Sequence, residues 1–210
     1  MSAELKLEGR YRLEVVGGNE TINRALIQQL PTLRGSIVAG VAADAGSSPS
    51  TQACEIFPSS ASSATPLTLF ADKPSGETIY ALRGPSGKGD LQLVQMPAPT
   101  GEGRRLVGSS VMSDGWKIVE SWGRLLLRYS EEPVGLSHWV AVPREEEGED
   151  GKATKRWTFW WVAPNGANMN DLPGHVIVDI QVVPVEYLPY IRVLSSRGSL
   201  FRTTRCYRPT

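Results

Sequence analysis

His138 and His175 are the only histidines in the chain, so any imidazole-driven chemistry must run through one of them. A histidine that activates a serine or cysteine nucleophile needs a carboxylate to orient it. His175 shares its strand parity with Asp179 and could be oriented that way. A polar outer face of a strand accounts for the same spacing, and that is the reading taken. Gly84-Pro85-Ser86-Gly87-Lys88-Gly89-Asp90 has the look of a phosphate loop, which requires Gly, four residues, then Gly-Lys-Ser/Thr. Here Leu82 stands where the first glycine would fall and Gly89 replaces the hydroxyl residue, so a Gly-rich hairpin turn is expected. Asp171, Asp179, Glu186 and Glu145–Glu147 supply carboxylates, but nothing sets two of them at the separation a glycosidase needs. Cys54, His138, His175 and Cys206 are too dispersed for metal-ligand spacing. No catalytic residue, metal or cofactor is predicted.

Two clusters point to contact rather than reaction. Trp157-Thr158-Phe159-Trp160-Trp161 carries three of the chain's six tryptophans. Trp157, Phe159 and Trp161 fall on one face of an extended segment, Thr158 and Trp160 on the other. Aromatic platforms of this kind stack on sugars or bases, but a core strand explains the first face. Trp160, on the second, is the residue expected at a subunit interface. Beyond Glu186 the chain has no acid but carries Arg192, Arg197, Arg202, Arg205 and Arg208 with Phe201, Tyr190 and Tyr207 among them. Such a tail suits a polyanion or an acidic neighbour, and a solvated terminus fits equally well.

The elements that hold these residues are read from alternation. In residues 4–15, Leu5, Leu7, Tyr11, Leu13 and Val15 share one parity, and Glu4, Lys6, Glu8, Arg10, Arg12 and Glu14 the other. That is a strand with one buried face. The pattern returns in His175–Val183, where Val176, Val178, Ile180 and Val182 align. Between them, Gly35–Ala43, Ala53–Phe57, Leu67–Ala71, Thr78–Leu82, Leu91–Gln95, Gly123–Tyr129, His138–Val142 and Trp157–Val162 read as strands. Leu106–Met112 and Trp116–Glu120 are ambiguous, the second being compatible with a helical turn. Asn19 followed by Ile22, Leu26 and Leu30, with Pro31 as the stop, predicts a short helix. Pro143–Lys155, which contains an acidic run, is expected to be a solvent-exposed hairpin extension.

The resulting expectation is all-β: a single-domain antiparallel β-sandwich or barrel over residues 1–210, with one or two short helices and an arginine-rich tail from 187 to 210. All-β domains of roughly 200–250 residues are common. Lys+Arg and Asp+Glu both number 22, so there is no basic excess of the sort a general nucleic-acid binder carries. Two cysteines exclude a disulfide framework and leave room for one bridge at most, and two buried thiols at Cys54 and Cys206 are the state expected. The Met-Ser-Ala-Glu-Leu-Lys start predicts no signal peptide. No apolar stretch approaches the ~20 residues of a membrane helix.

Trp122-Gly123-Arg124-Leu125-Leu126-Leu127-Arg128-Tyr129 followed by His138-Trp139-Val140-Ala141-Val142 resembles part of a viral coat jelly roll. The segment is similar to a Gly-x-Leu-x-Leu-x-aromatic strand and its Val-rich successor in coat proteins of plant picorna-like viruses, the comovirus and nepovirus group. Trp157–Pro164, leading through a polar loop to His175–Val183, is similar to the two closing strands of that fold. Residues 44–103 lie outside the likeness. The resemblance implies a jelly roll of two four-stranded sheets, without catalytic residues, whose loops and termini make subunit contacts. Trp160, Pro164, Asn165 and Pro173 would then serve interfaces, and the tail arginines packaged RNA or an acidic neighbouring subunit. The partners would be other copies of the chain and companion coat proteins, with no membrane, in a virion and beforehand in host cytoplasm. The competing reading is a cytoplasmic binding module, a β-trefoil or β-sandwich lectin or protease inhibitor.

Overall fold

The two strands with the clearest alternation pair with each other. The computed structural model describes residues 7, 9–32, 37–42, 52–60, 66–85, 90–98, 109–129, 137–147, 153–162 and 172–185. Among these, β1 (Tyr11–Gly17) runs antiparallel to β13 (Val176–Pro184) over seven residue pairs, from Tyr11↔Pro184 to Gly17↔Val178. Tyr11, Leu13 and Val15 are buried, as are Val178, Ile180 and Val182, so both inner faces follow the expected parity. Leu7 is also buried, but Gly9 takes a left-handed conformation (φ +92°) that starts the strand only at Tyr11.

Between these two lie β2 (Gln28–Pro31), β3 (Ile37–Ala42), β4 (Glu55–Pro58), β5 (Leu69–Phe70), β6 (Thr78–Pro85), β7 (Asp90–Pro97) and β8 (Ser109–Met112). They are followed by β9 (Trp116–Ser121), β10 (Arg124–Tyr129), β11 (His138–Glu147) and β12 (Ala153–Val162). All thirteen belong to one antiparallel sheet. Its ladders run from β1 through β4, β5, β6, β7, β12, β11 and β13 back to β1. The sheet therefore closes on itself, giving a sandwich-like all-β fold whose walls share one interior. Closure leaves the ring strands without free edges. Strands β2, β3, β8, β9 and β10 are attached around that circuit.

The predicted helix after Asn19 is absent, and no described residue is helical. Asn19 does act as a cap, its Oδ1 accepting from the amides of Thr21 and Ile22 at 3.1 and 3.3 Å. One turn forms, with Asn23 N donating to Asn19 O at 3.0 Å. Arg24 then adopts φ +66° and its amide donates to Val15 O at 2.8 Å, returning the chain to the sheet beside β1. Ile27, which the helical spacing passes over, joins Ile22 in the main core, while Leu26, which the spacing includes, is exposed. Trp116–Glu120 is likewise strand rather than helical turn, because six residues pair with β10 from Tyr129↔Trp116 to Arg124↔Ser121.

The main core is drawn from every wall of the ring and is centred on aromatic rings. Trp116 meets Tyr129 edge-on at 5.2 Å and stacks near-parallel with Trp139 at 6.2 Å, while Trp139 meets Trp161 at 5.1 Å. Both central indoles are hydrogen-bonded inside: Trp116 Nε1 donates to Tyr80 O at 3.1 Å and Trp139 Nε1 to Leu127 O at 2.8 Å. Buried rings that keep their N–H paired add packing without a desolvation penalty. On the outer side, Leu30, Val38, Ala81 and Val94 form one small apolar cluster and Val140, Val142, Val162 and Leu172 another. The β11–β12 ladder continues to Glu147↔Ala153, and Pro143, Arg144, Glu145 and Lys155 on it are exposed, as expected of a hairpin extension. Residues 148–152 at its tip lie outside the described residues.

Candidate functional site

Of the contact residues expected from sequence, Trp160 and Pro173 are described. Trp160 does face away from the main core, as its parity requires. It is half-buried on the second outer cluster, with Nε1 donating to Thr158 Oγ1 at 3.0 Å and the Arg144 guanidinium 5.9 Å from the ring centroid. Pro173 is exposed in the turn that leads into β13. Pro164, Asn165, Cys206 and the tail arginines Arg192, Arg197, Arg202, Arg205 and Arg208 lie outside the described residues.

The imidazole–carboxylate pairing considered for His175 and Asp179 does not form. Four residues of strand span about 13 Å, and each group has another partner. His175 Nδ1 lies 2.9 Å from Leu172 O, to which it donates, and Asp179 Oδ1 accepts from Arg128 at 2.7 Å. The glycine-rich segment after Gly84 joins β6 to β7, whose ladder runs from Thr78↔Pro97 to Arg83↔Gln92. It is a hairpin connection, with residues 86–89 outside the described set. Among the described residues no three His, Cys, Asp or Glu side chains gather as a metal site.

Cys54 is buried beside Tyr80. Burial pushes its thiol from the ordinary 9.0 up to about 12, with a hydrogen-bonding contribution from Tyr80 opposing the rise. Tyr80 is also raised, by burial first and then by Cys54, and its hydroxyl makes no well-formed hydrogen bond. A thiol this far from ionising is inert as a nucleophile. The pair belongs to the core.

The outer face of β1, β13 and β10 is different. Glu14, Val16, Gly17, Asn23, Arg24, Arg124 and Gln181 line an open concavity of about 480 Å³. Three elements place them. β1 supplies Glu14 and Val16, β13 supplies Gln181 opposite Glu14, and β10 brings Arg124 to the same face. The turn after β1 is fixed by Asn23 Oδ1, which accepts from Gly17 N at 3.1 Å, and this sets Arg24 at the rim. Among the described residues, the side chains of Arg24, Arg124 and Glu14 make no hydrogen bond or ion pair. Arg128, one row away on β10, is by contrast tied to Asp179.

Beside the concavity stands Trp122. It forms, with Gly123, the two-residue turn joining β9 to β10, and it is 98% exposed. Both turn residues have positive φ, +54° and +72°. Turns of this type favour Asn-Gly, and a left-handed conformation costs an ordinary L-residue about 1–2 kcal/mol. A large indole is thus held wholly in solvent by a backbone that disfavours it. Among the described residues, Ile177 on β13 is the next most exposed large apolar side chain, at 64%. By alternation alone the strand starts at Gly123, which gives Trp122 no role in the turn. Gly123 between two alternating segments is half of a two-residue hairpin signal, with Trp122 where such turns favour Asn, Asp or Gly.

Comparison with known protein families, with curated proteins and with solved structures finds no match to this chain. The described residues hold a buried, unreactive Cys54 thiol and an outer face with unpaired charges beside an uncovered indole.

Proposed function

We propose that this chain is a structural subunit, a virus coat protein that self-assembles into an icosahedral shell. The observation that carries the reading is Trp122, fully solvated on a disfavoured backbone at the tip of the β9–β10 hairpin. Exposed aromatic side chains of this kind are the anchors of protein interfaces. The closed sheet supports the reading in a second way, since it satisfies its own core and leaves turns and outer faces for contact with symmetry-related copies. In this proposal Trp160, Pro164, Asn165 and Pro173 contribute to contacts between subunits. Arg192, Arg197, Arg202, Arg205 and Arg208 face packaged RNA or an acidic neighbouring subunit. The subunit resides in the virion and, before assembly, in host cytoplasm, with companion coat proteins as further partners. No step of catalysis is assigned to it.

The test is size. Purified chain in near-neutral buffer is examined by sedimentation velocity and negative-stain microscopy over a range of concentrations. Closed particles of uniform diameter are expected. A species that stays monomeric at high concentration, with and without added RNA, overturns the proposal.

A further inference from the structure

We infer that the Arg24/Arg124 concavity is the receptor for Trp122 of a second copy of this chain. The inference rests on the self-assembly reading and deepens it by naming the contact, and the two pieces are close neighbours along the chain. Arg124 lines the concavity and Trp122 is only two Cα steps away, at most about 7.6 Å. When a knob and a hole sit side by side on one surface, a two-fold axis between them seats each knob in the other's hole. That is an isologous contact, complete in a dimer.

The chemistry of the hole matches an indole. Arginine guanidinium groups stack on tryptophan faces, both as cations and as planar groups. Arg24 and Arg124 are available for this because neither is paired among the described residues, whereas neighbouring Arg128 is held by Asp179. The indole N–H needs an acceptor once it leaves water, and the Glu14 carboxylate in the same concavity supplies one. Val16 and the arginine stems offer apolar contact to the ring. An indole side chain has about 150–250 Å² to bury, and 480 Å³ gives it room. One event thus covers the exposed ring and partners three free charges.

The experiment measures self-association of the full chain by sedimentation velocity across concentration, with negative-stain images of each sample. Wild type is compared with Trp122→Asn, which suits the turn, and with Arg124→Gln, which alters an exposed side chain. Thermal melts confirm that both variants fold. Each single change is expected to raise the concentration for half-association at least tenfold. The double variant is expected to do no more than the stronger single, because both remove the same contact. Wild-type particles whose assembly midpoint is unchanged in Trp122→Asn overturn the inference and leave the coat reading standing. A Trp122-dependent dimer that never grows into particles supports the inference and sinks the coat reading. A wild-type monomer at every concentration overturns both. A monomer that co-sediments with phosphatidylserine vesicles only when Trp122 is present overturns it in favour of a membrane surface.

Discussion

Trp116 and Trp122 sit at opposite ends of β9, six residues apart, and have opposite fates. Trp116 is fully buried, its rings between Tyr129 and Trp139 and its N–H bonded to the Tyr80 carbonyl. Trp122 touches solvent on nearly all of its surface and sits in a left-handed turn. The same side chain is worth several kcal/mol to the fold at one end of the strand and is a net cost at the other. Residues of high hydrophobicity do not by themselves declare a core. Their position in the ladder does, and Trp122 is the one the fold leaves to solvent.

Breaking the interior end should cost most. Trp139→Ala removes the ring that joins Trp116 to Trp161 and is expected to lose about 3–5 kcal/mol, read as a fall in urea midpoint. Trp116→Phe keeps a ring but leaves the Tyr80 carbonyl without its donor, for an expected loss of about 1–3 kcal/mol. It is measured the same way. Next is an effect of pH on the same region. Cys54 retains its proton up to about 12 in the folded protein against an ordinary 9.0. Above pH 9 the unfolded chain releases a proton that the native one holds, so the unfolded state binds fewer protons and stability falls as pH rises towards 12. The slope is about 1.4 kcal/mol per pH unit once the unfolded thiol is ionised. Comparing urea midpoints at pH 8 and pH 10.5 in wild type and Cys54→Ala isolates it, since the variant should show a shallower decline. Tyr80 steepens the decline in both above its ordinary 10.0. Last, Trp122→Asn should stabilise the fold by about 1 kcal/mol or less, because Asn tolerates the left-handed turn. A higher melting temperature checks this, and a clear loss of stability would mean that Trp122 belongs to the fold after all.

Much of the architecture was legible because a strand has a period of two and one wet face. β1, β10, β12 and β13 were readable residue by residue from Leu13 and Val15, Leu127 and Tyr129, Phe159 and Trp161, and Ile180 and Val182. The segment after Asn19 misled because a spacing of four is compatible with both periods. Ile22, Leu26 and Leu30 recur every four residues, yet Arg24 turns left-handed between them. What decides there is the hydrogen bonding of Arg24 and Ile27 to β1, a contact remote enough in character that local pattern does not report it. Sheet closure was illegible for the same reason, since strand order depends on pairings far apart in sequence. The outer concavity joins Arg24, Arg124 and Gln181, three residues with no common motif. The turn at Trp122 was the exception, since Gly123 carries half of a readable signal.

The pairing of β1 with β13 has a consequence for how the molecule is made. The seven-residue seam joins strands about 160 residues apart in the chain, so β1 leaves a ribosome well before the strand it pairs with. At roughly 5–20 residues per second, synthesis leaves one margin of the nascent sheet unzipped for many seconds, and the loop to be closed is long enough to make folding slow. Premature termination before Val176 would yield a polypeptide with an open, sticky border, a natural target for chaperones while translation is still under way.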